Sequence, residues 1–156
     1  MEKLKCNSGN FYVVAVAVVE DKDGEVKKVR KTIVVEATSF GDAELKASDS
    51  MSDYSVGDVE VLNITPAAFS EVYSSSEGDD DKFYKGTVDY ITVNENTGKP
   101  KKTKRSMLIQ ANCLNRATRY LDEIMRGSMV DYSSVSETQI FDSFFIHKVK
   151  ANDEQG

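Results

Sequence analysis

Two runs of basic residues are the parts of this sequence whose type and spacing bear most directly on chemistry. The first holds Lys27, Lys28, Arg30 and Lys31, and the second holds Lys99, Lys101, Lys102, Lys104 and Arg105. Each follows a glycine-bearing turn and leads into an apolar strand, so the two occupy equivalent places in two similar passages. Cations spaced along extended chain neutralise phosphates, or face an acidic protein, with little choice of base sequence. Lysines on exposed strands also keep sheet edges soluble and unpaired. Residues 1–75 carry 8 basic and 13 acidic side chains and residues 76–156 carry 12 and 13, so the second half is the better side for an anionic partner.

Other chemistries find little support. The single histidine, His147, sits near the end of the chain, a poor place for a general base that must be held against its target. Cys6 and Cys113 form no Cys-x-x-Cys pair and read as two reduced thiols. The run Asp79-Asp80-Asp81 lacks the alternating ligands of a calcium loop and reads as solvated linker. No glycine-rich phosphate loop and no nucleophile elbow is present, and a nucleophilic serine would need a base that only His147 could supply. Phe11, Tyr12, Phe83, Tyr84 and Tyr90 are possible stacking platforms for bases, although aromatics at strand starts more often pack in a core. No catalytic residue, no metal ligand and no cofactor is assigned, and the chain reads as a binding protein and not an enzyme.

The elements that would position the basic runs come from an internal repeat at an offset near 72–76. Val13 to Glu20 and Val26 to Glu36 are rich in β-branched residues and are joined through Asp23-Gly24, a tight-hairpin signal. The second hairpin turns through Thr97-Gly98. A helix is predicted from an N-cap at Ser39, with Phe40, Ala43, Ala47 and Met51 on one face. A second helix repeats the pattern with Leu114, Ala117, Leu121, Ile124 and Met125, and Gly127 suits the left-handed position after it. A strand closes each copy. The expectation is an α+β fold made of a duplicated ββαβ unit, with about six main strands, two helices and pseudo-twofold symmetry. The repeats are placed at 1–73 and 83–148, with an acidic linker at 74–82 and a flexible tail at 149–156.

Composition agrees with a globular protein: 156 residues, 40% apolar and 29% charged, with a net charge of −6. That acidity disfavours indiscriminate attraction to phosphate or anionic lipid. The longest apolar run, Tyr12 to Val19, is far short of the roughly 20 residues of a membrane span, and no signal-peptide pattern opens the chain. No membrane association is expected.

The stretches DDDKFYKGTVDYITVNENTGKPKKTKRSMLIQA, residues 79–111, and MRGSMVDYSSVSETQIFD, residues 125–142, resemble an uncharacterised family. Weaker likeness covers EATSFGDAE and AFSEVY. The family comprises short proteins of Bacteroidetes genomes, mobile elements and phages, classed as a domain of unknown function. The resemblance implies a bacterial or phage origin and a setting in the host cytoplasm, and it brings no catalytic residues.

Three functions follow as expectations. The first is an accessory binding protein that engages nucleic acid or a nucleoprotein complex through the paired basic hairpins. The second is a protein-interaction, host-factor-inhibiting or virion module that docks by strand addition at an open sheet edge, which would also permit homo-oligomers. The third is a small-molecule binder with a site between the repeats.

Overall fold

The structure, a computed structural model, describes residues 4–145. His147 and the tail at 149–156 lie outside the described residues. The fold is α+β, with nine strands and two α-helices among the described residues, arranged in two mixed sheets. The strands are β1 (Leu4–Ser8), β2 (Phe11–Lys22), β3 (Glu25–Glu36), β4 (Glu60–Pro66), β5 (Glu71–Ser75), β6 (Lys82–Val93), β7 (Pro100–Ala111), β8 (Met129–Glu137) and β9 (Ile140–Phe144). The helices are α1 (Phe40–Met51) and α2 (Leu114–Ile124), and a single 3-10 turn covers Ser52–Tyr54. The expected six main strands therefore become nine. The additions β1, β5 and β9 have five residues each, too few to show the alternation by which a strand is recognised in sequence.

The chain divides into two compact units, and the division does not fall at 74–82. The first unit combines residues 10–67 with 140–145, and the second combines 4–9 with 68–139. In the first unit the sheet order is β4-β2-β3-β9, with β9 parallel to β3. Asp23 and Gly24 both have positive φ, 54° and 83°, so the β2–β3 turn has the mirror-image geometry that Asp-Gly favours. Ser39 caps α1 by accepting from the Asp42 backbone N–H at 3.1 Å. Asp42 in turn accepts from Thr38, first through its backbone N–H, and these bonds together with Lys46 hold its carboxyl below the usual range. Ala43, Ala47 and Met51 pack onto Val14, Val16 and Ile33. Phe40, expected on the same buried face, stays half exposed and meets the Tyr12 ring edge-on at 5.1 Å.

In the second unit the order is β1-β5-β7-β6-β8, with β5 parallel to β7 and the other neighbours antiparallel. The β6–β7 turn is built on Asn94, whose side-chain oxygen accepts from the Asn96 and Thr97 backbone N–H groups, and Gly98 takes φ 74°. Helix α2 buries Ala117, Tyr120 and Leu121 against Tyr84, Val88, Met107 and Ile109. Gly86 permits that approach, since a Cβ there would stand 3.2 Å from Ile109 Cδ1 and 3.4 Å from Leu121 Cδ1. Gly127 follows the helix with φ 88°. Leu114, predicted on the packing face, is exposed, and Tyr120 takes a core place that the helical spacing had not assigned.

Each unit thus takes in a strand that follows the other unit's last antiparallel strand in the chain. β5 follows β4 yet lies beside β7, and β9 follows β8 yet lies beside β3.

Candidate functional site

The basic residues of the first hairpin are largely matched by acids. Lys27 stands opposite Glu20 across the ladder. Lys28 Nζ lies 3.2 Å from Glu60 Oε1, and Lys31 Nζ lies 3.4 Å from Glu20 Oε2 and 4.5 Å over the Phe141 ring. Arg30 is exposed, opposite Ala17. Residues 11–36 carry five basic and five acidic side chains, so this hairpin offers no net field to an anion.

The second hairpin differs. Residues 82–111 carry seven basic and two acidic side chains. Strand alternation divides them between faces. Lys101 and Arg105 share parity with Met107 and Ile109, the residues packed under α2. Lys102 and Lys104 point to the opposite face, where their ladder partners on β6 are Ile91 and Asp89. The four residues are therefore not one cluster.

Arg105 is occupied. Its Nε donates to Glu71 Oε1 at 2.9 Å, its Nη2 donates to the same oxygen and to the Tyr73 hydroxyl at 3.1 Å, and its Nη1 lies 3.7 Å from Met125 Sδ. Burial first, then Cys6 and Glu71, pushes the Tyr73 hydroxyl up to about 12, so Tyr73 stays neutral and Glu71 alone balances the guanidinium. Arg105 thus ties β7 to β5. Lys102 is paired with Asp131 on β8 at 2.8 Å, and that hydrogen bond and the Asp131 charge hold its ammonium above the usual lysine range. Its side chain is nonetheless mostly exposed. Lys101 and Lys104 are exposed.

Four of the five aromatic residues weighed as stacking platforms take the core places that aromatics at strand starts more often fill. Phe11, Tyr12, Phe83 and Tyr84 are buried, and Tyr90 is half-buried beneath α2. The exposed aromatic beside the basic hairpin is Tyr132 on β8, which sequence reasoning did not single out. It stands opposite Asp89 across the β6–β8 ladder.

A second cluster lies in the segment expected to be solvated linker. Asp80 is only 3% exposed. It accepts from the Ser75 and Tyr120 hydroxyls, the latter at 2.8 Å, and from Arg116 Nη1 at 3.0 Å. Burial alone would raise its carboxyl, but the bonds from Ser75, Tyr120 and Arg116 outweigh burial and hold it below the usual carboxylate range. Asp79 accepts from Arg116 and from the Asn112 side-chain amide. Three consecutive acids look solvated in sequence because nothing local marks which one turns inward to meet a distant arginine and tyrosine. These bonds fasten the loop before β6 to β5, to α2 and, through Asn112, to the connection between β7 and α2, so the cluster is an anchor. Among the described residues no group of three or more His, Cys, Asp or Glu gathers as a metal site, and no helix is long and apolar enough to cross a membrane.

The profile of one protein family, a domain of unknown function named DUF4494, matches residues 10–146. The chain belongs to this family. The match spans both basic hairpins, both helices and the Asp80 anchor, and so takes in residues of both units, though not β1. No curated protein and no solved structure matches the chain.

Proposed function

We propose that this DUF4494 chain is a non-enzymatic accessory binding protein that engages nucleic acid, free or in a nucleoprotein complex, through the β6–β7 hairpin. Lys102 and Lys104, on the face away from α2, are the residues that would neutralise phosphates, and Lys101 on the other face of β7 adds to the local field. The observation that carries this reading is the excess of seven basic over two acidic side chains in residues 82–111, in a chain whose net charge is −6. A local positive field on an acidic protein attracts polyanions at that place and repels them elsewhere. Arg105, held by Glu71, supports the hairpin from within. Lys27, Lys28, Arg30 and Lys31 are secondary because their hairpin carries as many acids as bases, with Glu60 against Lys28 and Glu20 against Lys31.

The test is fluorescence anisotropy with labelled DNA and RNA, at low and physiological salt, on the parent and on a K101Q/K102Q/K104Q variant. Micromolar or tighter binding that falls steeply with salt, and that the variant loses, supports the reading. An absence of binding at low salt, where surface electrostatics act furthest, overturns it.

A protein-interaction role is the second reading, favoured by β8. Eight of its nine residues are exposed, and it pairs with β6 alone among the described strands. A partner strand, or a second copy of the chain, would add at that edge. Sizing chromatography and a salt-insensitive partner would favour it.

The duplication belongs to this reading too. In both units a hairpin precedes a helix and a third strand pairs antiparallel with the first. The ladder bulges between Ala15 and Val16 in one unit and between Asp89 and Tyr90 in the other, an offset of 74 residues that also separates Ser39 from Cys113 at the helix caps. Matching bulges support two copies of one ββαβ ancestor. An origin in Bacteroidetes, their mobile elements or phages, and a place in the host cytoplasm, complete the proposal.

A further inference from the structure

The outer face of β7–β6–β8 is a small platform whose two sides differ in chemistry. One row across the three strands reads Lys104, Asp89, Tyr132, and the next reads Lys102, Ile91, Met129. These residues lie opposite the α2 side, since Val88 and Tyr90 on β6 face the helix. Lysines therefore line the β7 side. The β8 side offers Tyr132 and Met129, 59% and 65% exposed. Adjacent strands stand about 4.8 Å apart, so lysine and tyrosine backbones are separated by roughly 10 Å.

We infer that this platform takes single-stranded nucleic acid, with a base stacked on Tyr132 and the neighbouring phosphates held by Lys104 and Lys102. The inference rests on the nucleic-acid reading above and specifies the form of ligand and the residue that takes the base. An exposed tyrosine ring beside lysines fits a strand that offers both a base face and a phosphate, and base–aromatic stacking tolerates any sequence. A duplex keeps its base faces inside the stack and leaves Tyr132 nothing to cover. Asp89, between Lys104 and Tyr132, repels phosphate from the middle of the row. That confines the backbone to the lysine side and turns the base toward the ring. Asp131 pairs with Lys102 at 2.8 Å in the free protein, so a phosphate there replaces a carboxylate that already marks the place for an anion.

The experiment is anisotropy at low salt with a labelled oligothymidine, single-stranded and as its duplex with oligoadenosine, on the parent, Y132F and Y132L. Tyr132 is exposed, so neither variant disturbs a core. The expected result is tighter binding of the single strand by the parent and by Y132F. Y132L should lose single-strand affinity about tenfold and leave duplex affinity unchanged. Single-strand binding by Y132L equal to the parent's overturns the stacking role while the lysine reading stands. Equal loss on both ligands overturns it as well, because that is a general surface effect. A parent that binds neither form at low salt overturns both readings and favours the open β8 edge as a protein-docking strand.

Discussion

Arg105 donates from Nε, at 2.9 Å, and from Nη2 to the same oxygen of Glu71, joining β7 to β5 across a parallel pair. Both side chains are partly buried. Desolvation disfavours the Arg105 charge, but Glu71 outweighs it and raises the guanidinium's affinity for its proton. R105Q should lower stability by about 1–2 kcal/mol, since charged hydrogen bonds are lost and the Glu71 carboxylate is left without its cation. Urea denaturation followed by circular dichroism measures it. Nucleic-acid affinity of the folded variant should stay near the parent's, in contrast to K102Q and K104Q.

Salt dependence separates the two hairpins. K101Q/K102Q/K104Q should reduce the slope of log affinity against log salt by about 1.4 for a single-stranded ligand, at roughly 0.7 for each of the contacts made by Lys102 and Lys104. K27Q/K28Q/R30Q/K31Q should change affinity less than about threefold, because this hairpin carries five acidic side chains against its five basic ones and so offers little net field. Equal losses from the two variants would show that both hairpins bind.

Asp80 should make the second unit acid-sensitive. Its folded carboxyl lies below the usual value, so its contribution is complete above the unfolded value of about 4 and is lost as pH falls through the folded value. D80N should be less stable than the parent at pH 7 and should lose less on acidification from pH 5 to pH 3. D80A should cost about 2–4 kcal/mol at pH 7, because it strips Ser75, Tyr120 and Arg116 of their shared acceptor. Chemical denaturation across that pH range checks both.

Gly86 should resist any side chain. Ile109 and Leu121 are buried, so a new methyl 3.2 Å from Ile109 Cδ1 forces a core side chain to shift. G86A should destabilise by about 1 kcal/mol and G86V by more, and thermal melts of the three proteins test the order.

Much of the architecture was legible in sequence because its signals are local. Asp23-Gly24 can take two positive φ angles in succession, and Ser39 can accept from the N–H three residues on, whatever lies elsewhere in the chain. The spacing of Ala43, Ala47 and Met51, or of Ala117 and Leu121, marks a buried helix face for the same reason. The basic runs were also plain, and so was the α+β class.

Tertiary structure alone decided the rest. Whether a lysine on β3 or β7 is free depends on the strand beside it. Glu20 and Glu60 answer Lys31 and Lys28, while Lys104 faces one carboxylate amid a surplus of cations. Asp80 is buried because Arg116 and Tyr120, some 40 residues away, converge on it. Tyr132 becomes the exposed ring beside the lysines through the pairing of β8 with β6. The placement of β5 beside β7 and of β9 beside β3 is a long-range choice that five-residue strands cannot encode in their own pattern. Sequence determined the local conformations and the total charge; long-range pairing decided which charges remain available to a partner.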